Sequence, residues 1–271
     1  MTTRASRTDT FAAGRRPAGA SHLHRGRMPP LQWLPFEARV LGEIGALPWA
    51  APLLARAPRG DGHPVLVLPG FLATDRSTAV LRRYLEHLGY DVQGWRLGRN
   101  LGGHRGTRGL VRERLDTLAQ QSGRRVSLIG WSMGGVLARE LARHAPASVR
   151  QVISLGSPLY GDPRRTTTAW YLHLAIHGRD SVNHDDYRGV GAPPVPTTSV
   201  FDRRDGVVAW RTSVELPGPQ VQNVRTYSSH LGMGVNPLVL YLIADRLAQP
   251  EDDWRPFVPP PALRPFYRTV A

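Results

Sequence analysis

The segment Gly130-Trp131-Ser132-Met133-Gly134-Gly135 joins an apolar run, Val126-Ser127-Leu128-Ile129, to a helix-forming run, Val136-Leu137-Ala138-Arg139-Glu140-Leu141. A chain that passes from strand to helix in so few residues has few folds open to it. The turn must be tight enough to force the serine into strained backbone angles and to project its hydroxyl. Glycines two residues before and two after the serine carry no Cβ to clash with the flanking strand and helix. An ordinary glycine-rich turn around a buried serine has the same local pattern, so the rest of the chain must decide between the two.

Short apolar runs alternate with helical patterns along most of the chain. Pro64 to Leu68 reads as a strand covered on both faces. Val80, Leu81, Tyr84, Leu85 and Leu88 have helical spacing and stop at Gly89. Strands are predicted at Tyr90–Trp95, Arg125–Ile129, Gln151–Leu155, Thr197–Phe201 and Gln222–Tyr227. Helices are predicted at Leu110–Gln121, Met133–His144 and Pro237–Leu247. Such alternation implies βαβ units, hence an α/β fold with a mostly parallel central sheet flanked by helices. Tyr160 to Pro196 breaks the rhythm with a helix-like piece, Ala169 to Ile176, and then polar, proline-rich sequence. A connection of that length with structure of its own is more often functional than idle, and reads as a small cap between two late strands. The expected organisation is an arginine-rich leader at 1–30 and a helical lead-in at 31–63. The core comes next at 64–159 and 197–250, with the cap at 160–196 and a tail at 251–271.

Composition narrows the function classes. The net charge of +14 comes from 35 basic residues, all of them arginine, and six of these face one aspartate in residues 1–27. The remainder is scattered rather than gathered into a basic stripe with interleaved aromatics, which argues against specific nucleic-acid binding. Weak attraction to anionic surfaces is compatible with the charge. Cysteine is absent, which excludes disulfides and thiolate metal sites. No stretch has the apolar length of a membrane span. Glu37, Arg39 and Glu43 interrupt the region where a signal peptide would stay apolar, so a cytoplasmic location is expected.

A serine hydroxyl is a poor nucleophile unless a base takes its proton and an acid orients that base. Downstream of Ser132 the acid candidates are Asp162, Asp202 and Asp205. Asp205 is preferred, because Gly206 supplies a turn after it and Val207-Val208 return to the interior; Asp202, at the strand end, is the close rival. Arg203 and Arg204 are expected to pair with Asp202 on the surface. Of ten histidines, His230 stands out, in Ser228-Ser229-His230-Leu231-Gly232 between the last strand and the last helix. The backbone N–H groups of Met133, after the serine, and of Phe71, in the Pro69-Gly70-Phe71-Leu72 loop, are the candidate donors to a developing oxyanion. Leu72, Trp131, Trp170, Tyr171 and Leu174 are the candidate pocket residues.

Leu68-Pro69-Gly70-Phe71, the Ser132 hexapeptide, Asp205-Gly206-Val207-Val208 and Ser229-His230-Leu231-Gly232, in this order, make the chain resemble the α/β-hydrolase-fold superfamily. It is most similar to the bacterial esterase and lipase-like branch. The resemblance implies a serine acyl-enzyme mechanism without cofactor or metal, with Ser132 as nucleophile, His230 as base, Asp205 as acid, and Phe71 and Met133 as oxyanion donors. A small ester or lipid-like substrate with an apolar acyl group is then expected. Acyl transfer, thioester hydrolysis or ligand binding without catalysis are the alternatives on the same fold. Members often begin with two antiparallel strands, whereas the sequence before Pro64 reads as helix, so a reduced sheet is expected.

Overall fold

The computed structural model of the chain describes residues 27–102, 105–177 and 191–270. Among the described residues the strands are β1 (Pro64–Leu68), β2 (Asp91–Gly94), β3 (Val126–Trp131), β4 (Val149–Leu155), β5 (Thr197–Phe201), β6 (Val221–Arg225) and β7 (Arg268–Val270). They form one sheet in the order β2-β1-β3-β4-β5-β6-β7. All pairs are parallel except β6 with β7. The helices are α1 (Val40–Ala55), α2 (Ala79–Leu88), α3 (Arg105–Ser122), α4 (Met133–His144), α5 (Pro163–Thr166), α6 (Ala169–His177) and α7 (Pro237–Leu247).

The period of two along β1 explains the layers. Leu66 and Leu68 point into a core shared with Val111, Leu115 and Leu118 of α3 and Leu137 and Leu141 of α4. Val65 and Val67 point into the opposite core with Leu81, Leu85 and Leu88 of α2, Val239, Leu240 and Ile243 of α7, and Leu54 of α1. Each such side chain, once buried, contributes about 1.5–3 kcal/mol, so a strand covered on both faces has no use for polar residues. α2 ends at Gly89, whose φ of +99° suits a residue without Cβ. Asn236 caps α7 by accepting from the N–H groups of Leu238 and Val239.

The chain leaves β1 toward β2 on one side and crosses to β3 on the other, so the strand order reverses between β1 and β3. In open α/β sheets ligands bind at the carboxyl ends of the strands at such a reversal. Leu68 and Gly130 are register partners there, which sets the Pro69–Leu72 loop beside Ser132.

One segment differs from the sequence reading. Residues 251–271, expected only as a tail, contribute Phe257 and Tyr267 to the core and β7 to the sheet edge. A three-residue strand reading Arg268-Thr269-Val270 is too short to show periodicity. The lead-in runs as a 3-10 segment (Leu31–Arg39) into α1. Its outer side exposes Leu41, Ile44 and Trp49, while its inner side meets the loops that carry Asp205 and His230. No strand lies between residues 27 and 63. No helix among the described residues is long and apolar enough to cross a membrane.

Candidate active site

Ser132 is the N-cap of α4 and sits at φ 54°, ψ −119°. A non-glycine residue with positive φ stores strain that its surroundings must hold in place. They do so through the glycines: a Cβ on Gly134 would overlap the Leu68 carbonyl, and one on Gly130 would overlap the Gly134 backbone. The Ser132 N–H donates to the carbonyl of Leu155, at the end of β4, at 2.8 Å. The hydroxyl therefore stands at the carboxyl edge of the sheet on a turn that cannot relax.

His230 lies in the loop between β6 and α7, and Asp205 in the loop after β5. His230 Nδ1 and Asp205 Oδ2 are 2.7 Å apart, and both side chains are buried. An ionised carboxylate only accepts, so Nδ1 carries the proton and Nε2 keeps a free lone pair. The other oxygen, Asp205 Oδ1, accepts from the N–H groups of Val207 at 2.8 Å and Val208 at 2.7 Å. Burial by itself would push the His230 imidazole down. The charge and hydrogen bond of Asp205, and then the charge of Glu37, outweigh it and hold His230 above its ordinary value.

The serine turn and the histidine loop are tied together. Trp131, the residue before Ser132, donates from Nε1 to the His230 carbonyl at 3.0 Å. Gly156, one residue beyond the Leu155 carbonyl that holds Ser132, lies against the same imidazole: a Cβ there would sit 3.0 Å from Nδ1. Trp131, expected in the pocket, thus braces the histidine loop.

Asp202, the rival acid, is wholly buried rather than paired on the surface. Its oxygens accept from the N–H of Arg204 at 2.8 Å and of Ser228 at 3.0 Å, and Arg39 lies 3.9 Å away. It knits the β5 end to the histidine loop. The turn after it brings Asp205, three residues on, to the imidazole.

Around the Pro69–Leu72 loop, Gly70 packs on Ser132, where an added Cβ would lie 3.3 Å from the serine Cβ. Leu72 is held at φ +61° with its N–H on the Asn100 carbonyl at 2.6 Å. Buried Asn100 donates from Nδ2 to the Pro69 carbonyl at 2.8 Å. The Phe71 ring stands 5.4 Å from His173, which stacks at 5.3 Å on buried Trp170. His173 escapes the sequence reading; helical spacing from Trp170 is the signal for it. Tyr171 is 61 % exposed. The Leu174 side chain, residues 178–190 of the expected cap, and residues 1–26 of the expected leader lie outside the described residues.

A second Ser–His–Asp chain occupies the opposite end of the sheet. His63 Nδ1 donates to Asp61 Oδ1 at 2.5 Å, and Nε2 faces Ser127 Oγ at 2.8 Å. Ser127 precedes Ser132 by five residues of extended chain, about 16 Å. Ser127 and His63 are completely buried, and burial lowers the imidazole to about 4. Asp61 is exposed, but with the serine and the imidazole both shut away from solvent, this chain serves to satisfy buried polar groups where β1 and β3 begin. Among the described residues no group of three or more His, Asp or Glu is placed to hold a metal ion.

These features define an α/β-hydrolase-fold protein. A family described as "PGAP1-like alpha/beta domain" matches residues 109–188, which span Ser132 and the segment after β4. Lipase B of Aspergillus fumigatus is similar in structure, with 18% identity and a TM-score of 0.53 over 70% of this chain and 54% of that one. This chain thus spans about half the length of that lipase. The mature Bacillus licheniformis lipase BlEst2 aligns with 15% identity and a TM-score of 0.51, covering 71% of this chain and 94% of that one. A pyrethroid hydrolase from Sphingobium faniae JZ-2 aligns with 19% identity and a TM-score of 0.50, covering 69% and 98%. Comparison with curated protein sequences gives no match.

Proposed function

We propose that this chain is a serine hydrolase that cleaves carboxylic esters of apolar acyl substrates through an acyl-enzyme. The observation that carries the reading is the buried His230–Asp205 pair, 2.7 Å apart, tied through Trp131 to the strained Ser132 turn. A ligand-binding protein has no use for a buried acid–base pair tied through Trp131 to a strained serine turn.

In this reading His230 Nε2 takes the Ser132 proton as Oγ bonds to the ester carbonyl carbon. The negative oxygen that results is met by the N–H of Met133, at the α4 N-terminus, and by that of Phe71. The carbon–oxygen bond to the alcohol then breaks, and the imidazolium returns its proton to the departing oxygen. Water, deprotonated by the same imidazole, attacks the acyl-serine and regenerates both groups. Asp205 holds the tautomer that makes Nε2 the base in each half. Residues 160–196 act as a cap, and Phe71, Trp170 and His173 give an aromatic wall suited to an acyl chain; Leu72 and Leu174 are further candidates for that wall. The structural likeness to the two lipases and the pyrethroid hydrolase is consistent with this reading at the level of fold.

The test is hydrolysis of p-nitrophenyl esters of increasing acyl length by the intact protein and by Ser132→Ala. The proposal expects a loss on the order of 10³ or more in the variant, and a preference for chains longer than acetate. A folded protein that hydrolyses no ester faster than Ser132→Ala would contradict it.

A further inference from the structure

A third carboxylate meets the Asp205–His230 pair from outside the sheet. Glu37, in the 3-10 segment before α1, is 4 % exposed. Its Oε1 accepts from the N–H of Gly206, the residue after Asp205, at 2.9 Å. Its Oε2 accepts from the N–H of Leu231, the residue after His230, at 3.0 Å. One side chain therefore joins the two loops whose spacing sets the Asp205–His230 hydrogen bond. Burying a carboxylate is costly unless it is hydrogen-bonded, and an apolar side chain would leave two loop N–H groups without acceptors.

The surrounding fit is close. Gly206 lies on the lead-in backbone, where a Cβ would come within 2.7 Å of the Trp33 carbonyl oxygen. Glu43 of α1 accepts from the Ser229 N–H at 2.6 Å and from the Ser228 hydroxyl at 3.2 Å. Arg39 donates to the carbonyls of Arg204 and Ser228, each at 3.4 Å, and lies near Asp202. The charged groups around Glu37 are thus Asp205 and His230 from the two loops, with Arg39, Asp202 and Glu43 behind them.

We infer that Glu37 is a positioning residue of this site: its carboxylate clamps the Asp205 loop to the His230 loop and sets a second negative charge beside the imidazole. The inference rests on the hydrolase reading for the step in which it matters. When His230 takes the Ser132 proton, the new positive charge is stabilised by Asp205 in direct contact and by Glu37 at longer range. Burial raises the Glu37 carboxyl, with the nearby Asp205 charge adding to the rise, while its two N–H bonds and His230 oppose it.

The experiment compares wild type, Glu37→Gln and Glu37→Asp. In Glu37→Gln an amide N–H₂ must face one of the two loop N–H groups, so the clamp opens on one side. The expected result is a kcat lower by about 10–100-fold, the scale of a small misplacement of catalytic groups, with KM little changed. The acidic limb of kcat/KM moves to lower pH, because a negative charge beside the imidazole is gone. Glu37→Asp keeps the charge and therefore the limb, while recovering only part of kcat. Carbon-13 NMR of wild type labelled at the glutamate carboxyl gives a second measurement that needs neither variant nor substrate. The Glu37 signal should show an inflection at the His230 midpoint. An active wild type with an unmoved limb in folded Glu37→Gln, or a Glu37 signal blind to His230, overturns the inference. A wild type inactive on every ester whose Glu37 and His230 still titrate together overturns the hydrolase reading and leaves the clamp in place.

Discussion

Replacing Asp205 by Asn changes one oxygen for an N–H₂ group at nearly constant volume, and the local hydrogen bonds dictate the consequence. Oδ1 is committed to the N–H groups of Val207 and Val208. The retained amide oxygen must stay there, since turning the amide would set donors against donors. The new N–H₂ then faces His230 Nδ1, which can only accept from it. The imidazole proton moves to Nε2, the atom that should receive the Ser132 proton. A base locked in the wrong tautomer costs about 10⁴ in kcat in the serine-protease triad, or about 5 kcal/mol of barrier. The same order is expected here, because the pair is buried and no solvent can replace the carboxylate. With wild type, kcat/KM should rise with pH through a midpoint above 6.5, the direction in which His230 is displaced. In Asp205→Asn that midpoint should fall, since the charge opposing the burial is lost. Ester hydrolysis from pH 5 to 9, with circular dichroism to verify folding, reads both effects. Asp202→Asn is the control: it disturbs N–H bonds to Arg204 and Ser228 and should destabilise without moving the midpoint. A folded Asp205→Asn within tenfold of wild type, or an equal loss in Asp202→Asn, would refute the reasoning.

Two further predictions concern stability. His63 is lowered from 6.5 to about 4, so between those values the unfolded chain binds a proton that the folded one refuses, and stability rises with pH across that window. At about 1.4 kcal/mol per pH unit, the advantage of wild type over His63→Gln in urea denaturation should shrink by about 2–3 kcal/mol as pH falls from 6.5 to 4; a constant difference would contradict the burial argument. Glu215, completely buried, accepts from Arg139 Nε at 2.6 Å and from its Nη2 at 2.8 Å, fixing α4 to the segment before β6. Glu215→Gln strands part of a buried guanidinium charge and should cost about 3–5 kcal/mol in the same assay, and a loss below 1 kcal/mol would show that the pair does not hold that helix.

The sequence discloses most where local chemistry allows one solution. A doubly covered strand such as β1 must be apolar throughout, and the Ser132 turn must have glycines where no Cβ fits, so both are readable without coordinates. The order of Ser132, Asp205 and His230 comes from which strand ends face the same edge. Asp202 and Asp205 are harder to separate, because three residues of loop decide which carboxylate points at the imidazole and which points back at the backbone. Glu37 and Glu43 cannot be found this way. They act across 169 to 194 residues of chain, and on a helical segment they read as ordinary solvent-facing charges. The Ser127–His63–Asp61 chain is equally hidden, as Ser127 sits in an apolar run whose pattern does not reveal its partner.

The most direct test is covalent labelling of the intact protein with a fluorophosphonate, with the adduct located by intact-mass measurement and peptide mapping. Phosphonylation needs a serine activated by its base but no knowledge of the natural ester. One adduct per chain is predicted, on the peptide containing Ser132, abolished in Ser132→Ala and strongly slowed in His230→Ala. A folded protein that takes up no label, or that takes it up on another serine, would contradict the assignment of Ser132 as nucleophile.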